Sequence, residues 1–177
     1  FMKSLKTKTI LFILLLVISA SVLSTAATLY RSNAVINNVV DSQFNELLTG
    51  SVNMLEIYIN EQFGNLRLDS QNNLIDEDGH SIKGRYEYID ELTKGLGVQA
   101  TIFAKQNSDY IRILTSLENE EGERIVGTEL SKDGPAYQAI SNGETFFGVA
   151  DILGASYETI YKPIMSNNQV IGIYFVG

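Results

Sequence analysis

Three hydroxyl side chains fall on one side of a single predicted strand. Residues 155–164 read Ala-Ser-Tyr-Glu-Thr-Ile-Tyr-Lys-Pro-Ile. Side chains alternate between the two faces of a strand, so Tyr157, Thr159 and Tyr161 share one face and Glu158, Ile160 and Lys162 the other. A core face is normally aliphatic. Hydroxyl-bearing aromatics combine apolar area with a polar handle, which suits the wall of a small-molecule pocket. A solvated face of an antiparallel sheet also takes Tyr and Thr readily, so this strand alone leaves both readings open.

A second chemical signal is Arg112, inside Tyr-Ile-Arg-Ile-Leu-Thr, a run otherwise suited to burial. A half-buried guanidinium needs an anionic partner, and its forked donors match a carboxylate. That partner is either an internal acid such as Asp151 or a ligand. Strict alternation puts Tyr110 and Leu114 on the same face as Arg112.

Other chemistries have little to stand on. The chain has no Cys, which removes thiol nucleophiles, disulfides and Cys-ligated metals. Its one His, His80, lies in a polar stretch. Asp76-Glu77-Asp78-Gly79 resembles part of a calcium loop but fails its spacing, since Leu74 and Arg85 would occupy ligand positions. There is no Gly-x-Ser-x-Gly and no phosphate loop. We therefore expect no enzyme activity, no metal and no cofactor. The formal net charge is −8, with no acid before Asp41, so the body of the chain is strongly acidic, which argues against nucleic-acid binding.

The elements that would position Tyr157–Tyr161 and Arg112 can be read from periodicity. The 22 residues between Lys8 and Arg31 carry no formal charge, enough for a membrane-crossing helix of about 20 apolar residues. Lys3, Lys6 and Lys8 before it put the N-terminus in the cytoplasm. A cleaved signal peptide has similar features. An uncleaved anchor is the preferred reading, because a helical pattern follows without a break. From residue 31 to 63 there is no Pro, and apolar residues recur at Ile36, Val40, Phe44, Leu47, Leu48, Val52, Leu55, Ile59 and Phe63. That helix would run about 50 Å. The small domain covers part of its stripe and a second copy would cover the rest, predicting a parallel homodimer.

Gly64 ends the helix. Residues 66–69 and 74–75 read as short strand pieces, and residues 86–94 as a short helix stopped by Gly95 and Gly97. Strand-like runs follow at residues 98–104, 109–117, 145–153, 155–164 and 170–176, with residues 124–130 as a possible extended return. Residues 134–142 form a short helix with Pro135 in its first turn. The expected class is α+β: a membrane helix continuing into a long amphipathic helix, packed on a sheet of about five antiparallel strands with short crossover helices.

The order of these features resembles a single Cache domain, the PAS-like extracytoplasmic sensor of bacterial chemoreceptors and sensor kinases. The resemblance runs through Tyr110-Ile-Arg112-Ile-Leu-Thr115, Gly122-Glu-Arg124-Ile-Val-Gly127-Thr128-Glu-Leu130, Pro135-Ala-Tyr137 and Phe147-Gly148-Val-Ala150-Asp-Ile-Leu-Gly154. It continues through Tyr157-Glu-Thr159-Ile-Tyr161-Lys-Pro163-Ile164 and Val170-Ile-Gly172-Ile-Tyr-Phe-Val-Gly177. The resemblance covers roughly residues 30 to 177; with the charge and hydropathy reading it gives residues 1–8 as a cytoplasmic tail, 9–29 as a transmembrane helix, 30–65 as the long sensor helix and 66–177 as the ligand-binding domain.

In related sensors an Arg on a middle strand and polar residues two apart before the Pro hold the carboxylates of small organic acids. Arg112, Thr115, Tyr157, Thr159 and Tyr161 match those positions, with Phe103, Tyr110 and Phe147 as apolar wall and Asp151 nearby. The family often has Thr-Asn after the Arg, whereas this chain has Thr115-Ser116, so the ligand can differ. The implied partners are a C2–C4 carboxylate, a plasma membrane and a second copy of the chain, and the implied role is a chemotaxis transducer. A histidine kinase or cyclic-dinucleotide enzyme sensor, or a ligand-free dimerisation module, is the alternative. Family members usually continue from the last Val-Gly into a second membrane helix, so a chain ending at Gly177 reads as a sensor module without its output region.

Overall fold

The computed structural model describes the backbone of residues 2–177 and the side chains of residues 8–28, 30–31 and 42–177. The chain forms two compact units, Phe1–Gln43 and Phe44–Gly177. Helix α1, Met2–Phe63, supplies all the described backbone of the first unit and the start of the second. In the first unit, Lys8–Thr28 is a 21-residue stretch long and apolar enough to cross a membrane, and none of it is buried. Lys3, Lys6, Leu29, Ile36 and Val40, used in the periodicity reading, lie outside the residues whose side chains are described.

In the second unit, α1 buries Leu48, Val52, Leu55, Ile59 and Phe63, each at most 4% exposed. Their steps of three and four place them on one helical face. Phe44 and Leu47 were expected on that stripe but are 44% and 52% exposed. Leu47 sits more than a quarter turn from the buried line, and Phe44 lies on that line one turn before Leu48, so the small domain covers a narrower and shorter face than the sequence pattern marks. Gly64 ends α1 in a left-handed turn (φ 66°), its N–H returning to the Asn60 carbonyl at 2.9 Å. A Cβ there would also meet the Glu77 carboxylate at 2.1 Å.

Strands β1 (Arg67–Leu68) and β2 (Leu74–Ile75) form a small hairpin whose turn is tied by the Asp69 carboxylate to the Gln71 and Asn73 amides. Asp76, within the calcium-like run, takes the His80 amide at 2.7 Å and Arg85 at 3.0 Å. Helix α2 (Tyr86–Leu96) buries Ile89 and Leu92 and ends at Gly97, again left-handed.

The main sheet is antiparallel throughout, in the order β4-β3-β7-β6-β5. Its strands are β3 (Ala100–Gln106), β4 (Asp109–Thr115), β5 (Phe146–Ile152), β6 (Ala155–Ser166) and β7 (Gln169–Val176). Helix α3 (Pro135–Ser141) lies on the crossover from β4 to the far edge strand β5. The β3–β7 pair approaches closely at Gly172, where a Cβ would stand 2.4 Å from the Phe103 carbonyl oxygen. Residues 124–130 form no strand of their own. They run along the outer edge of β4, with Arg112 N–H to Thr128 O at 2.9 Å, Gly127 N–H to Arg112 O at 2.8 Å and Leu130 N–H to Tyr110 O at 3.0 Å. Arg124 anchors this segment by a forked pair to the Asp90 carboxylate on α2, at 2.9 and 2.7 Å.

Each face of the sheet has its own core. Ala100, Ile102, Leu114, Ile160, Tyr174 and Val176 pack toward α1 and α2. Phe103, Tyr110, Tyr161, Ile173 and Phe175 pack with Ala136 and Ile140 of α3. A bulge in β4 decides one placement. Ile102 faces Leu114 but Phe103 faces Arg112, leaving Ile113 as the extra residue. Ile113 and Leu114 therefore both enter the α1-side core. Leu114 does not share a face with Arg112 as alternation predicts, while Tyr110 does.

Candidate functional site

The α3 face of the sheet carries a cavity of about 470 Å³. It is bounded by Arg112 on β4, Ile125 and residues 128–131 beside it, the start of α3, Phe146 and residues 149–153 of the β5–β6 hairpin, and Tyr161 on β6. Three structural choices make this space. The edge segment 124–130 is bonded along the outer side of β4 and sets Thr128 to Ser131 beside Arg112. Helix α3 covers the sheet centre. The β5–β6 hairpin, closed by a turn at Leu153 and Gly154 that are both left-handed (φ 55° and 79°), sets Phe146 and residues 149–153 along the other side.

Arg112 is 9% exposed. Its guanidinium carbon stacks 4.9 Å from the centre of the Phe103 ring, and Nη1 donates a short hydrogen bond to the Thr128 hydroxyl. Its Nε is buried with no hydrogen-bond partner. Among the described residues no carboxylate forms an ion pair with it. Burial holds its pKa below the ordinary arginine value, with the Tyr161 hydroxyl opposing that shift. A guanidinium stays charged at neutral pH, so the cavity wall carries a charged, desolvated fork without a counter-ion. Tyr161 is 5% exposed, and burial pushes its hydroxyl pKa up against the pull of Arg112. Its ring lies 4.9 Å from Phe175 and 6.1 Å from Phe146.

The structure brings three of the nine candidate site residues, Arg112, Tyr161 and Asp151, to the cavity lining. Asp151 is exposed at the rim, where its carboxylate accepts the Gly154 amide at 3.1 Å; it is not the internal partner of Arg112. Phe103 lies beneath the guanidinium as a stacking platform. Tyr110 is buried edge-on to Tyr137, with ring centres 5.5 Å apart. Its hydroxyl faces Ser141 without the geometry of a hydrogen bond.

The remaining four stand elsewhere. Thr115 is fully buried, its hydroxyl shared with Thr101 at 2.7 Å and accepting the Leu117 amide at 3.1 Å. Thr159 donates to the Gly148 carbonyl at 2.6 Å, and Tyr157 is half-buried against the α3-side core. Neither lines the cavity. Phe147 is 41% exposed on the opposite side of β5, and its neighbour Phe146 forms the wall instead. The reason is register: Phe146 pairs with Tyr161, so those two share a face. A Cβ on Gly148 would sit 2.7 Å from the Phe146 ring, which lies back over that glycine.

Sequence reasoning missed Thr128, Leu130 and Phe146. Phe146 follows from the hairpin turn: with the two-residue turn at Leu153-Gly154, counting outward pairs it with Tyr161. Thr128 and Leu130 gave no periodic signal, because they reach the site through single backbone bonds to β4.

No curated protein matches this chain. A sequence model of the Cache 3/Cache 2 fusion domain matches residues 19–177. With the membrane-length helix, the antiparallel PAS-like sheet and the covered cavity, this match makes the chain a member of the Cache 3/Cache 2 fusion family of extracytoplasmic sensor domains.

Proposed function

We propose that this chain is the ligand-binding sensor of a transmembrane signalling receptor, a chemotaxis transducer in the first instance, and that it binds an organic carboxylate at Arg112. The observation that carries this reading is the buried guanidinium without a carboxylate partner in the wall of a 470 Å³ cavity. Such a charge is costly unless an anion meets it. The chain is a binding module and not an enzyme in this reading. Lys8–Thr28 crosses the plasma membrane with the N-terminus in the cytoplasm, and the sheet lies outside. Phe44, Leu47, Met54 and Ile57 are exposed on α1, and a second copy covers them in a parallel dimer.

Strand β6 supplies a route for the signal. Tyr161 lines the cavity on one face, and the next residue, Lys162, reaches the opposite face and bonds Glu56 at 2.6 Å and Asn53 at 2.8 Å on α1. Closure of the site on an anion would move β6, and the Lys162 link passes that movement to the helix. The coupling is then a free-energy difference between two positions of one strand.

A thermal-shift screen of the whole chain in detergent against small carboxylates tests the reading, with Arg112→Ala alongside. Ligand at about 100 times its Kd adds about 2.7 kcal/mol, or roughly 5 to 11 °C for a domain of this size. A shift lost in Arg112→Ala supports the assignment. No shift with any acid returns Arg112 to a structural role.

A further inference from the structure

We infer that the ligand is a monocarboxylate with an apolar body and no ammonium group, larger than a C2–C4 acid. This rests on the carboxylate reading above and specifies it. Size comes first. At about 30 Å³ per water-sized group, the 470 Å³ cavity has room for roughly 15 heavy atoms. A two- to four-carbon monocarboxylate, acetate to butanoate, leaves most of that space to water.

The lining gives the chemistry of the rest. Around Arg112 and Thr128 the wall is Ile125, Leu130, Ala136, Phe146, Val149 and Ile152. Arg112 is the one cation among the lining residues, and the two acids, Glu129 and Asp151, are exposed. A dicarboxylate would bring its second charge to a wall with no second cation and two acids. An α-amino acid fares no better. Its ammonium would lie next to its carboxylate, hence beside the buried guanidinium, whereas the two lining acids are exposed, Asp151 is held by the Gly154 amide, and among the described residues no acid is within ion-pair distance of Arg112. One anionic end at Arg112, followed by an apolar body against Phe146 and Leu130, satisfies each wall.

The test is a calorimetric titration of the whole chain in detergent with acetate, butanoate, hexanoate, 4-methylpentanoate, leucine and succinate. Arg112→Ala in the same micelles corrects for partition of the acids into detergent. Each buried methylene is expected to raise affinity about fourfold, so hexanoate should exceed acetate by at least about tenfold. Leucine, which is 4-methylpentanoate plus an amino group, should bind at least about tenfold more weakly than it. Ala150→Leu, which adds bulk at the cavity wall, should weaken hexanoate by about tenfold and leave acetate unchanged. Because Ala150→Leu keeps Arg112, it reads the body subsite even if Arg112→Ala fails to fold. Acetate or succinate binding as tightly as hexanoate, with loss in Arg112→Ala, overturns this inference and leaves the carboxylate reading standing. Leucine outbinding 4-methylpentanoate likewise overturns it alone. Binding of none of the acids overturns both.

Discussion

The face of the main sheet that meets α1 and α2 is packed mainly with aliphatic side chains of almost no exposure: Ile102, Leu114 and Val176 on the sheet and Leu55 and Ile59 on α1 are all 0% exposed. The face that meets α3 has an equally buried centre in Phe103, Ile173 and Phe175, yet it also holds the two orphaned buried side-chain atoms found among the described residues, Tyr110 Oη and Arg112 Nε. Both faces share the same five backbones, so the difference lies in side chains and in what covers them. Two helices pack on the first face, and the opening there, a cleft of about 620 Å³ between α1 and β6, is lined by polar groups such as Glu56, Asn60 and Lys162 and holds no orphaned buried side-chain atom. A seven-residue helix and an irregular segment cover the second and leave a cavity. Burying unpaired polar groups costs free energy, so the first face supplies stability and the second spends some of it on a site.

The largest effect should therefore come from the first face. Ile59→Ala removes a fully buried side chain of α1 from a packed core. It is expected to destabilise the domain by about 2 to 5 kcal/mol, seen in urea unfolding of the chain in detergent. The relative affinities of the carboxylates should not change. A cost under about 1 kcal/mol, or a reordering of ligands, would erase the distinction between the faces.

Arg112→Met probes the open face and should behave in the opposite way. It removes a buried charge that lacks a counter-ion and keeps most of the volume over Phe103. Without ligand the variant is expected within about 1 kcal/mol of the parent or above it, because the lost Thr128 bond and ring contact are offset by relief of desolvation. With ligand at about 100 times its Kd, the parent gains about 2.7 kcal/mol and the variant gains nothing. Unfolding free energies with and without acid give both numbers. A ligand-free loss of 3 kcal/mol or more would make Arg112 a structural residue like Ile59.

The first face was the more legible of the two in the sequence. Steps of three and four located Leu48, Val52, Leu55, Ile59 and Phe63, and glycines marked the ends of α1 and α2. Burial of an aliphatic residue follows from its own periodicity. The open face depends on register, which one residue can invert. The Ile113 bulge moved Leu114 to the other side, and Phe146 instead of Phe147 joined Tyr161. The Tyr157–Tyr161 alternation was read on the correct faces, but the sequence could not say how far the cavity extends along it: only Tyr161 reaches the lining. Arg112 stood out because its chemistry conflicts with its neighbours, a signal independent of register. Thr128, its nearest partner, lies in a segment without periodicity and was invisible.

The smallest effect sharpens the comparison most. The Tyr110 hydroxyl is buried and unbonded, and burial raises its pKa. In a closed core, removing a hydroxyl costs its hydrogen bond, about 1 kcal/mol. Here there is none to lose, and the ring keeps its edge-on contact with Tyr137 in a phenylalanine. Tyr110→Phe is therefore expected to leave ligand-free stability within about 0.5 kcal/mol of the parent, or to raise it. Tyr110 lies outside the cavity lining, so carboxylate affinity should also hold within about twofold, a difference of about 0.4 kcal/mol. A loss of 1 kcal/mol or more in ligand-free urea unfolding would mean that the hydroxyl finds a partner in solution, with Ser141 the residue it faces. A loss of affinity alone would instead extend the site past Phe103 to the outer end of β4, making the open face a larger recognition surface than its cavity.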